Sequence, residues 1–369
     1  MKYYLVAGEA SGDLHGANLM KALKEKDPNA DFRFFGGDLM LAEGGTLVQH
    51  YSTMAYMGFV EVAMNLRTIL KNMRTCKQDI ATWQPDVVIL IDFPGFNMKI
   101  AEFAKARGLL VCYYISPKVW AWNQKRVFKI KKVVDHLFCI LPFEVAFFKQ
   151  FDMVVDYVGN PLLDAVAAFT PDDNFLDTHQ LQNKKIVALL PGSRKQEISR
   201  LLPEMVKVSQ RLPDHQFVIA GAPSFHIDYY RQYLGDAQLP VVFHATYDLL
   251  HHATAAIVAS GTATLETALF NVPQVVVYKA NQIMVTAARK FLKIKYISLV
   301  NLIMDKLVVR ELIQEECNTE TISTELEKLL AGIYRQEMLH HYVLLHQLMG
   351  KPGASAKTAG LIVEYATKK

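Results

Sequence analysis

Four segments of this 369-residue sequence group side chains that can do chemistry, each where an apolar, strand-like run gives way to a helix-like one. The first is Gly8-Glu9-Ala10-Ser11-Gly12-Asp13-Leu14-His15-Gly16. Glycine at such a turn permits close approach by a ligand, and the N-terminus of the following helix offers free amides. The spacing is not G-x-G-x-x-G, and Glu9 and Asp13 would repel a pyrophosphate, so the dinucleotide pattern is absent. Two readings stand: a tight turn whose Ser11 or Asp13 caps the helix, or a wall whose carboxylates and His15 face an uncharged, hydroxyl-rich ligand. The second segment is Asp92, which ends the run Asp86-Val87-Val88-Ile89-Leu90-Ile91 and precedes Phe93-Pro94-Gly95-Phe96-Asn97. A buried strand ending in a carboxylate ahead of a Pro-Gly turn aims that carboxylate out of the strand tip, with Asn97 as a helix cap. At the usual aspartate pKa of about 3.9 it is ionised at neutral pH and can accept a proton; alternatively it bonds loop amides.

The third and fourth segments differ in sign. Leu189-Leu190-Pro191-Gly192-Ser193-Arg194 presents amides at Gly192 and Ser193 beside a guanidinium, a combination suited to a phosphate oxygen, unless Arg194 pairs with Glu197 on its own helix. Ser260-Gly261-Thr262-Ala263-Thr264-Leu265-Glu266 offers hydroxyls and early amides for a second phosphate. There Glu266 can bond vicinal sugar hydroxyls or simply face the helix dipole. No G-x-x-x-x-G-K-[ST] motif exists, which excludes an NTPase P-loop. Acidic loops in the first half and phosphate-suited loops in the second point to a nucleotide-diphosphate donor on one domain and an acceptor on the other.

Positioning these loops takes an alternation of strands and helices. Strand candidates are Tyr3–Ala7, Phe32–Phe35, Val87–Ile91, Leu109–Ile115, Leu137–Leu141 and Val154–Val158 in the first half. In the second they are Ile186–Leu190, Phe217–Ala220, Val241–His244, Ala256–Ala259 and Val275–Tyr278, with helix from about Val308 onward. Amphipathic segments lie between, the best delimited carrying Leu14, Ala17, Met20 and Leu23 inward and stopping at Asp27-Pro28-Asn29. The polar stretch from Thr170 to Lys184 reads as a linker. The expected class is α/β, with two doubly wound Rossmann-like domains facing a common cleft: residues 1–168 plus about 350–369, and 183–349.

Composition narrows the class further. Lys plus Arg number 40 against 36 Asp plus Glu, too balanced a charge for a nucleic-acid protein. Cys76, Cys112, Cys139 and Cys317 form no Cys-x-x-Cys pair and read as buried, inert thiols in a reducing compartment. The N-terminus lacks a signal-peptide core and no apolar run reaches the ~20 residues of a membrane span, so a cytoplasmic address is expected. Two basic, aromatic stretches, Lys118–Lys132 and Arg289–Tyr296 with Lys279, fit an anionic membrane surface; RNA is the rival and a solvated helix face the plainer reading. Between Met54 and Met73 the apolar residues exceed what one core face needs, which suits a core helix or a lipid-binding flank.

These residues resemble lipid-A-disaccharide synthase, a GT-B glycosyltransferase family of Gram-negative lipid A assembly. The resemblance rests on Gly8 to Asp13, Gly58-Phe59-Val60-Glu61-Val62, Asp92 to Asn97, Ser116-Pro117-Lys118-Val119-Trp120-Ala121-Trp122 with Lys125-Arg126, and Leu141-Pro142-Phe143-Glu144. It continues through Pro191 to Arg194, Ser260 to Glu266, Asn301-Leu302 and Gln314-Glu315-Glu316-Cys317. It implies transfer of the sugar of UDP-2,3-diacylglucosamine to the 6-hydroxyl of 2,3-diacylglucosamine 1-phosphate (lipid X), giving a β-1,6 disaccharide and UDP without metal or cofactor. An α-linked donor giving a β product means inversion. Asp92 and Arg194 then match residues important in catalysis and UDP binding, with Asp13, Glu9 and His15 behind Asp92 as the base. Ser11, Gly12, Gly192, Ser193, Ser260, Gly261, Thr262, Glu266 and Asn301 contact substrate in this reading. The resemblance also places the protein at the inner face of the cytoplasmic membrane, returns the tail Lys351–Lys369 to the first domain and leaves oligomerisation open. The chain departs from the family pattern in Asn160-Pro161, where His-Pro is expected. A UDP-sugar epimerase with the same layout and a non-enzymatic lipid-binding protein are the alternatives.

Overall fold

The computed structural model describes residues 1–54, 65–181, 184–281 and 295–368. Gly58 to Val62, most of the apolar run after Met54, Gln182-Asn183 and Arg289 to Ile294 lie outside them. The chain forms two compact units, Met1–Asp164 with Lys351–Lys369, and Ala165–Gly350.

The first unit holds an all-parallel sheet of β1 (Lys2–Ala7), β2 (Asp31–Gly36), β3 (Thr46–His50), β4 (Val87–Ile91), β5 (Leu110–Tyr114), β6 (His136–Cys139) and β7 (Asp156–Tyr157). Its order is β3-β2-β1-β4-β5-β6-β7. Alternation along β1 sends Tyr3, Leu5 and Ala7 to one face and Tyr4 and Val6 to the other, and both faces are covered. Helices Leu66–Trp83 and Pro94–Lys105 supply Cys76, Ile80, Phe96 and Ile100 to one side. Helix Ala10–Lys26 and the C-terminal helix Ala354–Thr367 supply Met20, Leu23, Ala359 and Ile362 to the other. His136 stacks on Tyr365 with ring centroids 3.5 Å apart, fixing the tail helix to β6.

The second unit repeats the winding with β8 (Ile186–Leu190), β9 (Gln216–Gly221), β10 (Val241–Phe243), β11 (Ala253–Ala259), β12 (Gln274–Tyr278) and β13 (Arg310–Ile313), ordered β10-β9-β8-β11-β12-β13. Each sheet therefore starts at its centre, winds outward, returns and winds the other way. The direction reverses between β1 and β4 in one unit and between β8 and β11 in the other. Ligands of open α/β sheets bind outside the carboxyl ends of the strands at such switch points.

Several details depart from the sequence reading. β3 and β13 were not expected: β3 is a half-buried edge strand, and the region after Val308 opens with β13, whose alternating Arg310-Glu311-Leu312 hides a strand behind charge. Leu14 is 45% exposed, because the buried side of helix Ala10–Lys26 runs through Asp13, Gly16, Ala17, Met20 and Leu23. The stretch read as a linker is anchored, since Phe175 and Leu181 are buried in the core of the second unit. Asn160 is buried at the start of helix Pro161–Ala168, donating to the Ile140 carbonyl (3.2 Å) and accepting from the Leu162 amide (3.0 Å). All four cysteines are buried; burial pushes the Cys317 thiol up to about 11.

Candidate active site

All four chemistry-bearing segments lie at the two switch points. Gly8 to Gly16 follows β1 and Asp92 follows its neighbour β4; Pro191 to Arg194 follows β8 and Ser260 to Glu266 follows its neighbour β11.

At the tip of β4 the backbone is strained. Asp92 (φ 44°) and Phe93 (φ 48°) are consecutive left-handed residues, and Ile115 (φ 66°) follows at the tip of the adjacent β5. A left-handed β-branched residue is an outlier, and each such position costs of order 1–3 kcal/mol unless its surroundings fix it. They do here. The Asp92 amide donates to the Tyr114 carbonyl (3.0 Å), and its carbonyl accepts from Asn97 Nδ2 (2.8 Å) and the Tyr113 hydroxyl (2.5 Å). Gly8 completes the lock, because a Cβ there would collide with the Phe93 ring. Asn97 is not the expected cap: fully buried inside helix Pro94–Lys105, it also donates to the Val6 and Ile91 carbonyls and ties the tips of β1 and β4 together.

This scaffold leaves the Asp92 side chain to a cavity of about 150 Å³ that it lines with Lys118, Trp122 and Arg126. Burial raises its pKa above the ordinary carboxylate range; the Lys118 charge opposes this and Glu9 reinforces it. The carboxylate is thus a stronger base than a free aspartate, which revises the expectation of an unshifted group. A second cavity of about 260 Å³, bordered by Phe93, is mostly apolar, lined by Met54, Ile69, Met73 and Phe96.

The Gly8–Gly16 loop serves this tip mainly from behind. Asp13 is 3% exposed; its carboxylate accepts from the amides of Gly37 (2.7 Å), Leu39 (3.1 Å) and Met40 (3.1 Å). It therefore caps the turn after β2, not its own helix, whose N-cap Glu9 makes no side-chain capping bond. Glu9 accepts from Ser11 Oγ (2.8 Å), and Gly12 is buried against Ala7. Burial lowers the His15 pKa to about 4 against the opposing charge of Asp164, so this imidazole is neutral near pH 7.

The second unit is less constrained. Gly192 (φ 102°) leaves β8 in a conformation only glycine adopts cheaply, and a Cβ there would strike Glu197. Glu197 accepts from the amides of Ser193 (3.0 Å) and Arg194 (3.3 Å) and from Arg194 Nη1 (2.9 Å). The loop's anion-seeking groups are satisfied by the protein's own carboxylate. Arg194 is 61% exposed, and an exposed i,i+3 pair contributes ~0–1 kcal/mol, so a diphosphate can replace Glu197 at little cost. After β11, Ser260 Oγ donates to the Ile297 carbonyl (3.0 Å), Gly261 has open space where a Cβ would stand, and Thr262 begins an exposed helix start. Glu266 accepts from the Tyr247 hydroxyl (2.9 Å), and burial raises its pKa.

Asn301 is corrected by the structure. It is fully buried, donating to the Val309 carbonyl and Glu311 (both 2.8 Å) and accepting from the amides of Val308 (2.8 Å) and Val309 (2.9 Å). No hydrogen-bonding capacity is left for a substrate, so Asn301 is an internal strut. Gln314 has a similar duty, clamping both backbone groups of Ala280 beyond β12. Among the residues overlooked, Lys118 matters most. Its charge reads as surface in the sequence, although it stands in the Ser116–Trp122 motif; the adjacency of the loops after β4 and β5 brings it to Asp92. The expected basic surface is also thinner: Lys129 pairs with Glu102, and Lys279 with Glu204 (3.4 Å). No His, Cys, Asp or Glu cluster among the described residues has a metal-binding arrangement, and none of their helices is long and apolar enough to cross a membrane.

Two Rossmann-type units with ligand-suited loops at both switch points define the GT-B class, and solved structures of that class share the fold. UDP-GlcNAc 2-epimerase from Neisseria meningitidis, bound to UDP-GlcNAc, aligns over 100% of both chains with a TM-score of 0.67 at 12% identity. MurG from Acinetobacter baumannii aligns over 98% of this chain and 99% of its own with a TM-score of 0.60 at 13% identity. Sequence similarity is more specific. The lipid-A-disaccharide synthetase family model matches residues 3–360. The chain is 41% identical to lipid-A-disaccharide synthase of Syntrophus aciditrophicus (99% of this chain, 97% of the relative) and 38% identical to that of Trichlorobacter lovleyi (97% and 96%). The chain belongs to the lipid-A-disaccharide synthase family of glycosyltransferases, enzymes of lipid A biosynthesis.

Proposed function

We propose that this enzyme condenses UDP-2,3-diacylglucosamine with 2,3-diacylglucosamine 1-phosphate (lipid X) in one inverting displacement. Asp92 carries the reading: a carboxylate with raised proton affinity, fixed by strained backbone at a switch point and facing a cavity of sugar-ring size. It takes the proton of the acceptor 6-hydroxyl as that oxygen bonds to the donor's anomeric carbon. The bond from that carbon to the β-phosphate oxygen breaks, and the electron pair leaves with UDP. Glu9 tunes the base through its charge, and Asp13 ties the helix that follows Glu9 to the turn after β2. The first unit takes the acceptor, with acyl chain entering the apolar cavity beside Phe93. The second unit takes the donor. Arg194 and the amides of Gly192 and Ser193 release Glu197 and stabilise the departing diphosphate, with Ser260, Gly261 and Thr262 as the companion loop and Glu266 holding ribose. No metal or cofactor enters this scheme.

The membrane surface supplies both lipid substrates in this reading. Leu66, Leu70, Trp122 and Phe128 are exposed apolar residues of the first unit, with Lys125 and Lys132 exposed nearby in sequence to Phe128, as an anionic inner-membrane face would require. The deciding experiment incubates the purified chain with both acylated substrates and follows UDP release and disaccharide mass together. A disaccharide formed in step with UDP supports the proposal. An epimerised UDP-sugar, or UDP affinity without transfer, defeats it.

A further inference from the structure

The loop after β5 is built with more care than a membrane-facing turn needs. Lys118 (φ −70°, ψ 49°) is the centre of an inverse γ-turn closed by the Val119 amide on the Pro117 carbonyl (2.6 Å). On either side, Ser116 Oγ and Trp120 Nε1 (3.2 Å) both donate to Glu144, a carboxylate 1% exposed that also accepts from the Leu141 amide (3.0 Å). Beyond it, the Arg126 guanidinium lies 4.5 Å from the centroid of the exposed Trp122 ring, which pre-orients a planar donor. Lys118 and Arg126 line the cavity that Asp92 lines, and neither forms an ion pair among the described residues. The neighbouring cavity, which Arg126 also borders, is different: its Lys99 and Lys129 are both paired with Glu102. Of these two cavities, the one on the Asp92 side therefore holds the cations that form no ion pair among the described residues.

We propose that Lys118 and Arg126 form the subsite for the acceptor's anomeric phosphate, so that the first unit selects a phosphorylated sugar. The inference rests on the acceptor reading above and adds its recognition element. A glucosamine 1-phosphate carries its nucleophilic 6-hydroxyl and its phosphate at opposite ends of one pyranose ring. A cavity lined by one carboxylate and two cations favours that pair of groups in one orientation, with the hydroxyl toward Asp92 and the phosphate toward the cations. The reverse orientation sets phosphate against carboxylate. The cations thus orient the nucleophile as well as bind it.

The test compares acceptors with and without the 1-phosphate, in detergent micelles, for wild type, Arg126→Gln, Arg126→Lys and Lys118→Gln; all three substitutions fall on exposed side chains. Arg126→Gln should raise KM for the phosphorylated acceptor by about 10- to 100-fold, the loss of one charge-assisted contact. The preference for the phosphorylated acceptor should collapse by the same factor while UDP affinity holds, and Arg126→Lys should recover part of it. Equal losses for both acceptors overturn the proposal, as does a fall in UDP affinity, which would assign the cations to the donor. A defect confined to binding of phosphatidylglycerol vesicles, with micellar KM intact, assigns them to the membrane and also overturns it. If wild type transfers to neither acceptor, the functional reading fails separately. Ligand-observed NMR with glucosamine 1-phosphate against glucosamine then decides: a phosphate preference lost in Arg126→Gln sustains the subsite, and no preference in wild type ends it.

Discussion

The two switch points of this molecule reach a similar purpose by opposite means. In the first unit, Asp92, Phe93 and Ile115 take left-handed backbone without being glycine, and buried side chains of Asn97 and Tyr113 hold Asp92 there. In the second, the corresponding turns after β8 and β11 place glycine, Gly192 and Gly261, where φ is positive. In the proposed reaction, strain at the first fixes Asp92 in advance of substrate, and the glycine-containing turn at the second keeps Arg194 on Glu197 until a diphosphate takes that place. A base must be placed before the reaction. A site for a leaving group needs only cheap exchange between two anions.

That contrast can be broken by experiment, most sharply at Asp92. Asp92→Asn keeps the side chain's size but removes the proton acceptor, and single-turnover disaccharide formation should fall by ~100-fold or more with donor affinity little changed. Near-normal transfer would move the base to Glu9. At the second switch point, Arg194→Ala should weaken UDP binding by about 10- to 100-fold and lower transfer with it, from a charge-assisted contact worth ~1.5–3 kcal/mol. Calorimetry with UDP that shows wild-type affinity would place the diphosphate elsewhere. Glu197→Gln sharpens the exchange argument: UDP should bind at least as tightly, because the competing anion is gone.

Asp13 should affect folding more than chemistry. Asp13→Asn presents an NH2 group to backbone amides that now donate to a carboxylate, and urea denaturation should show a loss of about 1–3 kcal/mol. The smallest effect is the most diagnostic. Because the Asp92 pKa is raised, the acid limb of kcat/KM should lie above the ordinary carboxylate range, activity falling as pH drops through the folded value. Lys118→Gln removes the opposing charge and should move that limb to higher pH, whereas Glu9→Gln should move it to lower pH. Shifts of the same sign would dissociate this limb from Asp92.

Much of this was legible in the sequence because it is local. Uniformly apolar runs such as Val87 to Ile91 can only be doubly covered strands, and a strand-loop-helix rhythm repeated twice leads to two parallel sheets. The strand ends that lead into Glu9, Asp92 and Arg194, and the helix after β11 that carries Glu266, could therefore be named. β13 could not, because Arg310 and Glu311 give it the look of surface, and Glu311 is tolerable inside only because the amides of Ile297 and Ser298 and the Asn301 side chain meet its carboxylate.

What the tertiary structure alone decided is which polar groups still have capacity for a ligand. Asp13 and Asn301 have the same kind of side chain as residues that bind substrates, but segments 24 and more positions away engage the buried Asp13 carboxylate, and an intervening turn takes up the bonds of Asn301. Lys118 presents the converse: it lies in a run of surface-like cations, and only the pairing of β4 with β5 sets it beside Asp92. Residue type and spacing fix where a strand ends and which group stands at its tip. Whether that group is free, buried or opposed by charge depends on neighbours brought close by strand order, which no local pattern encodes.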